Sequence, residues 1–206
     1  VAVNSTWTDI ELASIPCATT TAEGMLQRAN LGAENVLITG ASGGVGSAAI
    51  QLAKRRGATV WAITKADKAA ELRKIGADHT LDRDEALPEN HFDVVIDLVA
   101  GPRFDDLLCA LKPKGRYVAS GAIAGLLVTL DVRTLYRKDL SLLGSTAQPD
   151  NIIHDVIGYI ERGKIKPLVS ITYPMRSISE AQAAFAGKAY IGKIVLTLDP
   201  FATNRP

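Results

Sequence analysis

The stretch from Asn35 to Gly57, NVLITGASGGVGSAAIQLAKRRG, restricts the fold of this chain more than any other. Val36, Leu37 and Ile38 are consecutive apolar residues, too few to span a membrane and suited to a strand buried on both faces. Thr39-Gly40-Ala41-Ser42-Gly43-Gly44-Val45-Gly46 follows, a turn in which missing Cβ atoms permit close backbone approach. Val45, Ala48, Ala49, Leu52 and Ala53 then recur at helical spacing, and Gly57 stands where a helix would end. Strand, glycine turn and helix start together form an anion site, because free N–H groups and the positive end of the helix dipole converge there. The anion best matched to that arrangement is a dinucleotide pyrophosphate, held by Ala41, Ser42, Gly43, Gly44, Val45 and Gly46.

Two registers of the glycines are open. As G-x-G-x-x-G the positions are Ala41, Gly43 and Gly46, with alanine first; as T-G-x-x-x-G-x-G they are Thr39, Gly40, Gly44 and Gly46. The second is the short-chain dehydrogenase pattern, whose chemistry requires Tyr-x-x-x-Lys so that the lysine lowers the phenol pKa. The residues four after Tyr117, Tyr136, Tyr159, Tyr173 and Tyr190 are Gly121, Leu140, Gly163, Ser177 and Ile194. None is lysine, so the first register is preferred.

Around this motif, strand and helix alternate. Thr59–Thr64, His79–Asp82 and Phe92–Val99 read as strands, with a helix over Asp67–Ile75 between the first two. A helix starting near Pro102 buries Phe104, Leu107, Leu108 and Leu111 and is broken by Lys112-Pro113-Lys114-Gly115. Arg116–Ser120 and Leu140–Gly144 give a fifth and a sixth strand, with helices around Val132–Lys138 and over Pro149–Arg162. The expected class is α/β, a doubly wound parallel (Rossmann) sheet of order 3-2-1-4-5-6. Before it, residues 1–15 read as an extended lead-in, and a short helix over Glu23–Ala29 is capped by Thr19, Thr20 or Thr21. After it, a strand over Lys166–Tyr173, a helix over Ser179–Phe185 and a strand over Ile194–Leu198 have no slot in that sheet. The domain division is therefore 1–165 for dinucleotide binding and 166–206 for a C-terminal segment belonging beside another domain. The tail DPFATNRP reads as disordered.

Composition narrows the partners. Among 206 residues, 23 basic and 22 acidic ones are mixed along the chain, without the basic block that nucleic acid or a membrane surface would require. Cys17 and Cys109 are too few for a disulfide framework, which points to a reducing compartment such as the cytoplasm. The N-terminus has neither an initiator Met nor the apolar core of a signal peptide, as expected for a piece of a longer protein.

Cofactor choice turns on the end of the second strand. NAD-binding domains of this class usually place an acid about 20 residues after the glycines, on the ribose 2′-OH. Here Thr64-Lys65 stands there, with Lys68 one turn on and Arg83 after the third strand. A hydroxyl and cations suit a 2′-phosphate, so NADP(H) is favoured over NAD(H), with Asp67 as a helix cap. The nicotinamide is expected at the carboxyl ends of strands four to six, against Val99, Ala100, Gly121, Ala122 and Ser145. No residue stands out as a general acid or base.

ELASIPCATTTAEGMLQRANL, the glycine motif, KIGADHTLD, FDVVIDLVAG, LKPKGRYVASG and GKIVL, in that order, resemble the cofactor half of the medium-chain dehydrogenase/reductases. The flavour is that of the quinone oxidoreductase (zeta-crystallin-like) branch. The resemblance implies an oxidoreductase reducing a quinone, an activated alkene or a carbonyl. It also implies a GroES-like catalytic domain absent from this chain, to which the C-terminal strands would return, and a homodimer through the sixth strand. By the same resemblance Lys68 matches a 2′-phosphate lysine, while Arg83 replaces a common tyrosine. Cys17 falls where zinc-dependent alcohol dehydrogenases of the superfamily place a catalytic ligand. Zinc-free quinone oxidoreductases argue against that role, and no metal site is expected from this chain. A zinc-dependent alcohol dehydrogenase and a nucleotide-binding module without turnover are the alternatives.

Overall fold

The computed structural model describes residues 2–198; the expected disordered tail, residues 199–206, lies outside them. Strands β1 (Asn35–Ile38), β2 (Thr59–Ile63), β3 (His79–Leu81), β4 (Phe92–Asp97), β5 (Leu111–Ala119) and β6 (Ser141–Gly144) form one parallel sheet in the order β3-β2-β1-β4-β5-β6. In β1, Val36 pairs with Val60 and Val94, and Leu37 with Trp61 and Val95. Successive side chains of a strand point to opposite faces, so each face of this sheet feeds its own core. Val36, Ile38, Val94 and Ile96 join one apolar cluster, while Leu37, Val95 and Tyr117 join the other.

Helices cover both faces. Against the first cluster pack α2 (Ala18–Arg28) through Met25 and Leu26, α3 (Gly44–Arg55) through Ala49 and Leu52, and α7 (Asn151–Glu161) through Val156 and Ile160. Small residues along α3 let it lie close to α2 and to the sheet. On the other face α5 (Phe104–Ala110) inserts Phe104, Leu107 and Leu108 between the strands. Both α4 (Ala69–Lys74) and α5 are preceded by a short 3-10 turn, over Ala66–Lys68 and Gly101–Arg103. α6 (Val132–Arg137) leads into β6 and buries none of its residues. No helix among the described residues is long and apolar enough to cross a membrane.

Three local expectations are corrected. The lead-in is not extended throughout: α1 (Asp9–Ala13) forms behind a capping box in which Thr8 and Glu11 each satisfy the other's backbone N–H. α2 begins at Ala18, so Thr19, Thr20 and Thr21 lie inside it and Cys17 occupies the cap. Lys112–Gly115 ends α5 but is already the first half of β5, paired irregularly with β4 between Phe92 and Val94.

The C-terminal elements stand apart from the six-stranded sheet, as the surplus of strands required. β7 (Val169–Pro174) and β8 (Lys193–Thr197) form a separate parallel pair, joined through α8 (Ile178–Gly187). The pair is tied back to the glycine turn, because the Gly192 N–H donates to the Ser42 carbonyl at 3.0 Å.

Candidate functional site

The glycine turn lies at the carboxyl end of β1, the crevice where open parallel sheets bind ligands. Its glycines have different reasons to be glycine. A Cβ on Gly46 would stand 2.4 Å from the Gly40 carbonyl oxygen and 2.6 Å from Ala41 Cα, so this position clamps helix to turn. A Cβ on Gly43 would meet only the Gly40 oxygen at 3.4 Å, an ordinary contact. Nothing within the protein demands glycine there, and its missing Cβ leaves open space beside the start of α3. Gly43 caps α3, and Ser47 is the first residue whose N–H returns to it, which leaves the N–H groups of Gly44, Val45 and Gly46 without helical partners. Ala41 is buried, and Ser42 and Val45 are partly exposed beside that helix end. These residues fit a dinucleotide pyrophosphate.

The second strand is followed by Thr64, 3% exposed, whose hydroxyl oxygen is buried without a hydrogen-bond partner among the described residues. Such an orphan normally has a ligand or water to satisfy it. Lys65 beside it is exposed, and Arg83 is exposed in the loop after β3. Arg83 offers its carbonyl to the Arg103 guanidinium. Lys68 is placed differently from a free surface cation. Its buried ammonium donates to the Lys188 and Tyr190 carbonyls, the second at 2.9 Å. Desolvation, followed by the neighbouring cations, holds its pKa below the ordinary lysine value despite Asp67. One of three N–H donors is left for another acceptor.

The expected nicotinamide contacts converge at the ends of β4, β5 and β6. Val99 and Ala100 form the turn after β4, Gly121 and Ala122 follow β5, and Ser145 is buried after β6 with its N–H on the Ala119 carbonyl at 2.9 Å. Gly121 is walled in, since a Cβ there would stand 2.5 Å from the Leu98 carbonyl oxygen. Ala100 has φ 54 and ψ −146, a backbone state normally reserved for glycine.

Beneath these turns lies a buried group centred on Asp97, a residue that sequence reasoning did not single out. Asp97 is fully buried, and its carboxylate accepts from the Thr39 and Tyr117 hydroxyls and from the N–H groups of Val99 at 2.9 Å and Ala100 at 3.1 Å. Burial and this carboxylate push the Tyr117 phenol far above the ordinary tyrosine value. A second acid, following three consecutive apolar residues at the end of the strand (FDVVID), was the available signal. Lys193 was also passed over: its side chain runs across the start of α3, where a Cβ on Gly44 would come within 2.6 Å of the Lys193 Cδ.

Cys17 is exposed at the cap of α2 with φ 67, its turn closed by the Ala18 N–H on the Pro16 carbonyl. Among the described residues no three His, Cys, Asp or Glu side chains gather as a metal-binding group. Cys109 is half-buried, its thiol pushed up by burial and Asp105.

Known proteins match this geometry. A family profile described as zinc-binding dehydrogenase covers residues 44–162. An acryloyl-coenzyme A reductase from Sulfurisphaera tokodaii is 33% identical over 193 residues, which are 88% of this chain and 57% of that protein. A crystal structure from Sinorhizobium meliloti 1021, named as a candidate alcohol dehydrogenase, superposes with a TM-score of 0.92 at 46% identity, covering 97% of this chain and 58% of that one. A 2-octenoyl-CoA carboxylase reductase in complex with NADP and 2-octenoyl-CoA superposes at 0.90 with 25% identity, covering 99% of this chain and 53% of that one. The chain thus spans little more than half the length of these relatives. Sheet order, glycine turn and these similarities agree: the chain belongs to the zinc-binding dehydrogenase family of the medium-chain dehydrogenase/reductases.

Proposed function

We propose that this chain is the cofactor-binding part of an NADP(H)-dependent oxidoreductase that reduces an activated alkene, a quinone or a carbonyl. The observation that carries the reading is the contrast between Gly46, which the fold itself requires, and Gly43, whose missing Cβ leaves space above the start of α3. A bound nicotinamide would supply the hydride; the protein's part is to hold and orient it. The N–H groups of Gly44, Val45 and Gly46 would hold the pyrophosphate, the orphan Thr64 hydroxyl would meet the ribose, and Lys65 the 2′-phosphate. Lys68 and Arg83 would add positive charge at that end, and Val99, Ala100, Gly121, Ala122 and Ser145 would border the ring. Two relatives named for enoyl-CoA substrates support an activated alkene ahead of a quinone. The C-terminal β7–α8–β8 unit would return to a further domain that holds the substrate. The open edge of β6 and the exposed Ile123, Leu126 and Leu127 support a second copy of the chain as partner.

Calorimetry of this chain with NADPH and NADH tests the cofactor. NADPH is expected to bind more tightly, and Lys65→Ala to weaken NADPH about tenfold while sparing NADH, a loss fitting one charge-assisted contact. Equal affinities, or an unchanged NADPH affinity in the variant, would overturn the assignment. Oxidation of NADPH by the full-length protein with an enoyl thioester, against a quinone, tests the substrate class. A zinc-dependent alcohol dehydrogenase is the second reading, favoured by the exposed, conformationally unusual Cys17. Zinc that is stoichiometric in the full-length protein and lost with Cys17→Ala would establish it.

A further inference from the structure

We propose that Asp97 is a positioning residue that locks the pyrophosphate turn to the nicotinamide-facing turns, so that the two halves of the dinucleotide bind as one unit. The proposal rests on the cofactor reading above. Its basis is the number of separate strand ends that one carboxylate holds. From β1 comes Thr39, the residue just before Gly40; its hydroxyl donates to Asp97 and accepts the Leu98 N–H at 2.9 Å. From the turn after β4 come the N–H groups of Val99 and Ala100. From β5 comes the Tyr117 hydroxyl, while the Asp97 carbonyl takes the Ser120 N–H at 3.1 Å, immediately before Gly121. Every partner of the carboxylate is a donor, a set that a group with acceptor oxygens alone can satisfy completely.

The two turns also touch directly. Gly40 has φ 56, and a Cβ on it would meet Leu98 and Val99 side-chain atoms at 3.3 Å. Ala100 is held at positive φ in the same turn, and the Val99 carbonyl accepts the Ala124 N–H at 3.0 Å. Strained backbone persists only where its surroundings over-determine it, and the Asp97 carboxylate is what faces this turn's N–H groups. Changing Asp97 to Asn would replace one acceptor oxygen by an NH2 that confronts donors. The turn after β4 would relax, while Gly46, packed on the Gly40 carbonyl, would keep the pyrophosphate turn closed.

The test separates the two halves of the cofactor. Calorimetry would compare ADP-ribose and its 2′-phosphate, which lack nicotinamide, with NADH and NADPH on wild type, Asp97→Asn, Tyr117→Phe, Thr39→Val and Thr39→Ser. Asp97→Asn is expected to bind the nicotinamide-free ligands about as wild type does, and the matching full dinucleotide about tenfold more weakly, the size of an ordinary coupling between sites. Thr39→Ser is expected to behave as wild type, and Thr39→Val and Tyr117→Phe to show the same split at smaller size. Equal losses for both kinds of ligand, or no loss for either, would overturn the proposal. If Asp97→Asn does not fold, the Tyr117→Phe result and the Thr39→Val against Thr39→Ser comparison decide by the same criterion. A wild-type chain that binds none of the four ligands would instead refute the cofactor reading, and this proposal with it.

Discussion

Gly46 faces the Gly40 carbonyl so closely that a Cβ on Gly46 would stand 2.4 Å from its oxygen. That contact is made of backbone on both sides, so no side chain can swing away to relieve it. Gly46→Ala is expected to destabilise the domain by about 1–3 kcal/mol, the cost of overpacking a close contact, and to abolish dinucleotide binding. Gly43→Ala should fold with a near-native Tm and lose cofactor affinity alone. Thermal melts with calorimetry check both; a fully stable Gly46→Ala would show that the turn can yield.

Ala100 carries a Cβ where φ 54 and ψ −146 suit glycine. Relieving that strain should outweigh the entropy glycine adds to the unfolded chain. Ala100→Gly is expected to raise stability by about 1 kcal/mol in denaturant titrations.

Tyr117 gives the chain an alkaline limit. Its folded pKa lies above the unfolded value near 10, so the folded state retains a proton that the unfolded state gives up. The stabilisation is complete below about pH 10 and lost as pH climbs from there towards the folded value, at no more than about 1.4 kcal/mol per pH unit for one proton. Tyr117→Phe is expected to be less stable at neutral pH and to show a shallower fall above pH 10, the difference amounting to one proton. Denaturant midpoints across that range measure it.

Lys68 ties the turn before α4 to the segment between α8 and β8 through the Lys188 and Tyr190 carbonyls. Lys68→Ala should speed amide exchange around residues 188–192 while leaving β1 and β4 protected. Lys65→Ala should not alter exchange there. Unchanged exchange at 188–192 in Lys68→Ala would show that the contact holds nothing in place.

The architecture was largely legible because its signals are local and repeated. Strand-forming runs such as Val36–Ile38 and Phe92–Asp97, each closed by small or polar residues, fixed the sheet and the place of the glycine turn. α1 was missed because five residues are too few to show an apolar repeat at helical spacing, although its Thr8-x-x-Glu11 box was present. The site was legible only where one motif carries it. Asp97, Thr39 and Tyr117 come from three strands, and nothing in their spacing announces that they meet. The carbonyl partners of Lys68 were not legible, because they lie far along the chain, past α8.

The hydrogen bond from Gly192 to Ser42 gives this domain an order of assembly. A ribosome delivers the glycine turn, its helix and most of the sheet long before it delivers Gly192. The nascent domain thus has its glycine turn in place while one flank of that turn is still unsynthesised. Closure of that flank, with Lys193 laid across the start of α3, must wait for the final strand. A truncation before Gly192 should accordingly leave a folded sheet with an open-sided turn, and Gly192 and Lys193 would act as its seal.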